Sequence, residues 1–247
     1  MIKVTATIVT LNEERNLPRA LESLRCVDEI VVVDSGSIDR TCQIADERGA
    51  RVVVEPWRGY AGQKTFATAR ASHDWVLSLD ADEALDETLE AEIQAWKIAG
   101  RVSEIAYSMP RFTQYLGRWI EHSGWYPDRK IRLYHREHAA WVGDYVHESV
   151  KARGRVGELK GKILHFTCAS ISEHLRTLDK YTTLAAREIR EGGCPVPAHK
   201  LFVDPGWTFV KTYLLRRGYL DGPQGLAIAW MAALYVYLKY AKARGLE

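Results

Sequence analysis

A regular alternation of strand and helix patterns over the first hundred of the 247 residues restricts the fold more than any other feature. The clearest strand is 29–34, whose central residues are all apolar, as in strands buried on both faces of a sheet. Strands are expected at 2–11, 29–34, 51–55 and 75–80, and helices at about 17–24, 39–48, 62–71 and 86–99. This order predicts an α/β fold with a mostly parallel central sheet and helices on both faces.

The pattern changes after residue 103. Strands are expected at 105–112, 130–135 and 162–167, and helices at about 170–190, 204–217 and 223–244. We therefore expect a first domain over 1–168, divided at about residue 102, and a helical C-terminal extension over 169–247.

Composition excludes several classes of protein. Lys and Arg number 34 against 32 Asp and Glu, a balance that does not fit a strongly basic nucleic-acid binder. The four cysteines are too far apart for a zinc or redox motif, which favours a reducing, cytoplasmic compartment. The N-terminus reads as a strand and not as a signal peptide. The longest apolar run, 226–238, has thirteen residues, whereas a helix needs about 20 to span a bilayer.

Polar residues follow three of the predicted strands, in the segments 10–13, 34–36 and 80–82. Ligands of parallel α/β sheets bind at the carboxyl ends of the strands, near the point where the strand order reverses. We therefore expect these three segments to meet in one crevice.

The chemistry of these residues suggests an anionic ligand and a cation. Asp80 and Asp82 could both reach Mg²⁺ or Mn²⁺, although a solvated loop with a helix-capping Asp is the alternative. Asp34 could accept from a base N–H or a ribose hydroxyl, or could only form a turn. Lys64 could contact a diphosphate or the base, or could face solvent. Asp39 is expected to cap the second helix.

The segments 10–14, 32–39 and 78–83 resemble, in order and spacing, the signature of family 2 glycosyltransferases with the GT-A fold. The resemblance covers about the first 100 residues. It implies inverting transfer from a nucleotide sugar, usually with Mg²⁺ or Mn²⁺, with residues 1–102 binding the donor and 103–168 the acceptor. The donor-binding residues are then expected to be Thr10, Leu11, Glu13, Asp34, Lys64 and Asp80, and the metal ligands Asp82 and Asp80.

The segment 125–134, followed by 146–148, resembles lipopolysaccharide-core β-glucosyltransferases. Many family members carry the catalytic base in a Glu-Asp pair further from the Asp-x-Asp motif, and this chain has no such pair. We expect Glu148 to be the base, because a carboxylate can take the proton of an attacking hydroxyl. Asp144 and Asp128 are the next candidates, and His147 could bind the metal or orient the carboxylate. A structural role for this His-Glu pair is the alternative.

The acceptor is expected to contact aromatic and basic residues of the same region. Trp125 could pack against a sugar face, and so could Trp119, Tyr126 and Trp141, although aromatic residues also fill cores. Basic residues in and around the strand expected at 130–135 would suit a phosphorylated or carboxylated acceptor, or could form a solvated face. The expected acceptor residues are Trp125, Asp128, Arg129 and Arg132.

The C-terminal tail differs in charge from the rest of the chain. From residue 199 onward there are seven Lys or Arg and three acids, among several aromatic residues. This composition suits an anionic membrane surface, and packing on the catalytic domain or on a second subunit is the alternative.

Together these features predict a metal-dependent, inverting glycosyltransferase at the cytoplasmic face of a membrane. The expected donor is a UDP-hexose and the expected acceptor a lipid-linked glycan, the lipopolysaccharide inner core. Polyprenyl-phosphate sugar synthesis on the same fold and a non-catalytic nucleotide-sugar-binding module are the alternatives.

Overall fold

A computed structural model describes residues 1–100, 102–143, 148–193 and 195–246. The strands are β1 (Val4–Thr10), β2 (Glu29–Asp34), β3 (Arg51–Val54), β4 (Trp75–Asp80), β5 (Glu83–Leu85), β6 (Ala106–Tyr115), β7 (Arg118–Trp119), β8 (Asp128–His135), β9 (Ala139–Val142), β10 (Ser149–Ala152), β11 (Val156–Glu158) and β12 (Ile163–Phe166). The α-helices are α1 (Leu17–Glu22), α2 (Thr41–Glu47), α3 (Tyr60–Arg70), α4 (Glu87–Ala99), α5 (Ile171–Glu191), α6 (Val203–Val210) and α7 (Gly222–Ala243). Short helical turns cover Ala198–Leu201, Lys211–Leu215 and Gly218–Asp221.

The main sheet has the strand order β3-β2-β1-β4-β8-β6-β12-β5. The strands β1 to β4 are mutually parallel, and the order reverses between β1 and β4. Their register aligns Thr10 with Asp34 and Val9 with Asp80, so the carboxyl ends of three strands lie at one edge. The predicted α/β architecture with a mostly parallel sheet is confirmed.

Helices cover both faces of this sheet because the parallel strands are apolar on both sides. On one face, Val32 belongs to a core cluster that includes Leu17 of α1, Ile44 of α2 and Leu89 of α4. On the other face, Val31 and Val33 pack with Ala67 of α3. Successive strand residues therefore anchor helices on opposite sides.

Beyond β1 to β4 the sheet is mixed, and the short strand β11 runs parallel to β6. β8 runs antiparallel to β4, and the short strand β5 runs antiparallel to β12. The second pairing sets His165 opposite Glu83, one residue after Asp82. β9 and β10 form a separate antiparallel pair.

Contacts divide the chain into two compact units, the first formed by residues 1–111 and 129–166 and the second by 112–128 and 167–247. In the second unit, α5 and α6 both pack against α7. The carboxylate of Asp221 accepts the backbone N–H groups of Glu121 and His122, which ties 112–128 to the C-terminal helices. The first domain predicted from the sequence, 1–168, includes residues 112–128.

Two local predictions differ from the structure. α2 begins at Thr41 with Arg40 before it, so Asp39 is not the N-cap, and its carboxylate instead accepts the Thr41 N–H at 3.0 Å. The predicted helix 204–217 is not uniform, because α6 ends at Val210 and a wider helical turn follows to Leu215. Among the described residues, no helix combines the length and apolar character that crossing a bilayer requires.

Candidate active site

Asp34 occupies the carboxyl end of β2 and is 1% exposed. Its carboxylate accepts the N–H groups of Gly36 (2.9 Å) and Ser37 (2.7 Å) and the hydroxyls of Thr10 (2.9 Å) and Ser37. Burial acts to raise the pKa of Asp34, but these hydrogen bonds outweigh it and hold the pKa below its usual value. The side chain is therefore ionised at neutral pH and fixes the turn after β2, while a contact with a nucleoside stays a prediction.

Lys64 of α3 lies at the centre of a buried group of charges. Its Nζ is 2.7 Å from Asp80 Oδ1 and 2.9 Å from Glu148 Oε1, and lies 4.6 Å from the ring centroid of Trp141. Only 3% of the residue is exposed, so the alternative that it faces solvent is wrong. The ammonium therefore links Asp80, at the end of β4, to Glu148, the residue before β10.

Arg132 of β8 holds the other side of Asp80. Its Nη2 lies 2.9 Å from Asp80 Oδ2 and 2.8 Å from Glu83 Oε1. Burial acts to raise the pKa of Asp80, but Lys64 and Arg132 outweigh it and hold that pKa well below its usual range. The Nη1 of Arg132 is buried without a hydrogen-bond partner in the described parts of the chain.

Asp82 has a different partner. Its Oδ2 lies 3.3 Å from His165 Nε2, and its backbone oxygen accepts the Phe166 N–H at 2.9 Å. His165 belongs to the last strand of the first unit, and the β5–β12 pairing brings it to the Asp-x-Asp motif.

The charges of these carboxylates act on Glu13. Burial raises the pKa of Glu13, and the charges of Asp82, Asp39 and Asp80 raise it further, whereas a hydrogen bond from Asn16 lowers it. This crowding of negative charge is what a divalent cation would relieve.

The donor groups around Asp82 fit a divalent cation better than those around Asp80. Two cationic side chains already compensate Asp80, so a metal ion there would meet their repulsion. Asp82 instead offers a carboxylate beside the imidazole of His165 and near Glu13. Carboxylate oxygens suit Mg²⁺ and Mn²⁺.

The remaining donor-site predictions fall at the end of β1. Thr10 is buried and donates to Asp34, and Leu11, just beyond the strand, is 51% exposed. Glu13 receives a hydrogen bond from Asn16 at 2.9 Å and precedes α1. All three therefore lie at the predicted edge.

The four predicted acceptor residues are divided between the two units. Arg129 and Arg132 are in the first unit, whereas Trp125 and Asp128 are in the second. Arg129 donates to the backbone oxygens of Ser108 and Leu159. The ring of Trp125 packs on Tyr115 at 5.5 Å between centroids. Acceptor contacts of all four stay predictions.

The outcome differs for three further residues predicted in this region. Trp141 is 9% exposed and donates from Nε1 to the hydroxyl of Tyr134, which supports the core-filling alternative. Two of the candidate catalytic residues, Asp144 and His147, lie outside the described residues.

Glu83 and His165 lie beside the Asp-x-Asp motif and its partners, and neither was predicted to do so from the sequence. Glu83 belongs to the segment 78–83 that resembles the family signature, but its ion pair depends on Arg132, which contacts it from β8. His165 lies in a predicted strand whose antiparallel partner, β5, has only three residues and no readable periodicity.

A separate cleft of about 340 Å³ opens at the amino ends of β1 and β4. It is lined by Ile2, Lys3, Ser72, His73, Asp74, Trp75 and His135. None of these residues belongs to the motifs at the carboxyl edge.

Comparison with known proteins identifies the family of the chain. The family model described as glycosyl transferase family 2 matches residues 5–147. Lipopolysaccharide core biosynthesis glycosyltransferase LpsC of Rhizobium meliloti is 33% identical, over 98% of this chain and 92% of its own. An uncharacterized glycosyltransferase of Rickettsia typhi is 31% identical, over 100% of this chain and 88% of its own.

Solved structures share the fold at low sequence identity. Glucosyl-3-phosphoglycerate synthase of Mycobacterium tuberculosis, solved with Mn²⁺, UDP and phosphoglyceric acid, has a TM-score of 0.51 and 18% identity over 79% of this chain and 80% of its own. S. aureus TarS residues 1–349 with UDP-GlcNAc has a TM-score of 0.50 and 15% identity over 99% of this chain and 92% of its own. The chain therefore belongs to glycosyl transferase family 2 and has the GT-A fold.

Proposed function

We propose that the protein is a metal-dependent, inverting glycosyltransferase that moves a hexose from a UDP-sugar to a hydroxyl of a lipid-linked glycan. The observation that carries the proposal is the meeting of Asp34, Asp80 and Asp82 at one sheet edge, with Lys64 and Glu148 beside Asp80. The UDP complexes of two structural neighbours support the donor.

The proposed acceptor is the inner core of lipopolysaccharide, at the cytoplasmic face of a membrane. The support is the name of the Rhizobium meliloti relative, which matches nearly the whole chain. A lipid-linked glycan is also consistent with a C-terminal tail that carries net positive charge.

Asp82 and His165 would hold Mg²⁺ or Mn²⁺, with Glu13 nearby. When bound, the ion supplies positive charge to the departing diphosphate. Asp80, compensated by Lys64 and Arg132, is left to contact the ribose.

Glu148 is the proposed base. As the acceptor oxygen attacks the anomeric carbon, Glu148 takes the hydroxyl proton, and the bond from that carbon to UDP breaks with inversion. The diphosphate oxygen leaves with the bonding electron pair. Lys64, 2.9 Å from Glu148 Oε1, holds the carboxylate in place.

The substitution Glu148→Gln tests the base. It should lower turnover by about 10²–10⁴-fold, because it removes the proton acceptor, while calorimetry shows unchanged donor affinity. Glu137→Gln, at an exposed glutamate in the turn before β9, is the control. Near-normal turnover of Glu148→Gln would refute the assignment and would favour a phosphate acceptor, which needs no strong base.

Donor titrations test the metal. Calorimetry with UDP-hexoses, with and without Mn²⁺, should show tighter binding with Mn²⁺ in the wild type and no Mn²⁺ effect in Asp82→Ala or His165→Ala. Asp46→Ala, at an exposed position of α2, should behave as the wild type. Binding that Mn²⁺ leaves unchanged contradicts the metal role, and binding without any transfer or donor hydrolysis indicates a non-catalytic module.

A further inference from the structure

We infer that the protein docks on an anionic phospholipid bilayer through an exposed apolar stripe of its second unit. The stripe is formed by Val203, Trp207, Val210 and Leu214, on α6 and the helical turn that follows it. The inference deepens the proposed function, because it rests on a lipid-linked acceptor and names the surface that would meet the membrane.

The stripe runs along one side of the helical segment. Its residues are spaced by four, three and four positions, and residues at this spacing share one helix face. Their exposed fractions are 61%, 58%, 37% and 54% in chain order. A helix of a soluble domain ordinarily turns such a face toward the core.

The other side of the same segment is already packed. Thr212 is 6% exposed, and the ring of Phe209 lies 4.9 Å from Trp230 of α7 and 5.6 Å from Tyr213. The helix therefore packs against its own unit through this other side, and not through the apolar stripe.

We group the stripe with further exposed apolar side chains of the second unit and call them together the patch. The further side chains belong to the neighbouring turns and to α7, and they are Phe202, Leu215, Tyr219, Leu220, Leu226 and Trp230. Trp and Tyr are the side chains that favour the interface between lipid and water, since each combines an apolar ring with a polar group.

The charge around the patch is positive. Lys211, Arg216 and Arg217 are exposed, whereas the acids of residues 199–222 are engaged inside the unit. Asp221 is 2% exposed and accepts two backbone N–H groups, and Asp204 accepts the hydroxyl of Tyr240. Exposed cations beside exposed aromatic residues complement an anionic lipid surface.

The same charges disfavour a second copy of the chain as the occupant. A two-fold interface places the same patch on both subunits. It would bring Lys211, Arg216 and Arg217 of one copy toward those of the other, and like charges repel.

Vesicle sedimentation tests the inference with the full chain. Wild-type protein should sediment with vesicles that contain phosphatidylglycerol at least tenfold more than with pure phosphatidylcholine vesicles. High salt should reduce this binding, since salt screens exposed charges. Absence of sedimentation with the anionic vesicles overturns the inference.

The variant Trp207→Gln/Leu214→Gln tests the surface itself. Both side chains are exposed, so the fold should persist, and vesicle binding should fall at least tenfold. The matched control, Ile98→Gln/Val156→Gln, alters two exposed apolar residues of the first unit and should bind vesicles as the wild type does.

Two further readouts separate the outcomes. If light scattering shows a dimer that the Trp207→Gln/Leu214→Gln variant dissociates, a second copy covers the patch and the inference is wrong. UDP-sugar binding and donor hydrolysis are measured on the same variant. Intact donor chemistry with lost vesicle binding supports docking, whereas vesicle binding by a wild type without transferase activity supports docking and refutes the proposed function.

Discussion

At the scale of single residues, the two carboxylates of the Asp-x-Asp motif have different environments. Asp80 is held by Lys64 and Arg132, whereas Asp82 faces His165. The motif itself was visible in the sequence because it ends a strongly apolar strand. The different surroundings of the two carboxylates were not visible, because the compensating cations come from α3 and β8 and the histidine from β12.

The Lys64 ion pairs lead to a stability prediction. Lys64→Met leaves Asp80 and Glu148 without their shared cation, so the free energy of unfolding should fall by about 3 kcal/mol. Denaturant unfolding measures it, with exposed Lys160→Met as the control. The double variant Lys64→Met/Glu148→Gln should lose less than the sum of the single losses. Strict additivity would show that the ion pair does not couple the two residues.

At the scale of elements, continuous apolar runs identified strands reliably, whereas the shortest strands could not be identified. β2 and β4 have the predicted bounds, because a continuous apolar run fixes both ends of a buried strand. β5, β7 and β11 have two or three residues each, too few for periodicity to identify. Their positions depend on strands distant in sequence, and so the location of His165 could not be predicted.

Glu29 connects several elements and predicts a pH dependence. Its carboxylate accepts the N–H and hydroxyl of Ser72, the hydroxyl of Thr5 and the guanidinium of Arg51. Burial acts to raise the pKa of Glu29, but these bonds outweigh it and lower the pKa to about 2. A lowered folded-state pKa stabilises the protein above the unfolded value near 4.5, and this contribution disappears as the pH falls toward 2.

The substitution Glu29→Gln should therefore lower the free energy of unfolding at neutral pH by up to about 3 kcal/mol. The gap between variant and wild type should close as the pH falls from about 4.5 to about 2. Urea unfolding across this range measures it, with Glu47→Gln as a control on α2. A gap that is independent of pH would contradict the role of the ionised carboxylate.

Gly161, in the turn before β12, sets how closely this turn approaches α4. A Cβ at this position would lie 2.2 Å from the backbone nitrogen of Leu89. Gly161→Ala should destabilise the protein by about 1–3 kcal/mol, because backbone must shift. Thermal unfolding compares it with Gly206→Ala, where an added Cβ meets no atom within 4 Å. Equal melting temperatures for the two variants would show that the backbone of the turn shifts without loss of stability.

At the scale of the whole molecule, motif order predicted the GT-A fold, and the parallel strand pattern predicted the edge where the three polar segments meet. The grouping of residues 112–128 with the C-terminal helices was not visible, because Asp221 and the apolar contacts of Tyr115 and Ile120 with Ile228 join segments about a hundred residues apart. Such pairings leave no local pattern in a sequence.

Ligand binding should stabilise the whole chain. A UDP-sugar with Mn²⁺ at about 100 times its dissociation constant adds about 2.7 kcal/mol to the free energy of unfolding. The melting temperature should then rise by about 5–10 °C. Removing the metal with EDTA should abolish the rise, and Asp82→Ala should show none. A rise that survives EDTA would show that the donor binds without a cation.

The strand β6 passes from the first unit into the second, and the chain returns at β8 before leaving again after β12. The second unit is therefore built from two separate segments, the internal segment 112–128 and the C-terminal segment 167–247. A single recombination junction could not transfer the whole second unit to another transferase, because the internal segment 112–128 would not be included. Exchange between relatives must carry both pieces together, so residues 112–128 and the C-terminal sequence should be inherited as a pair.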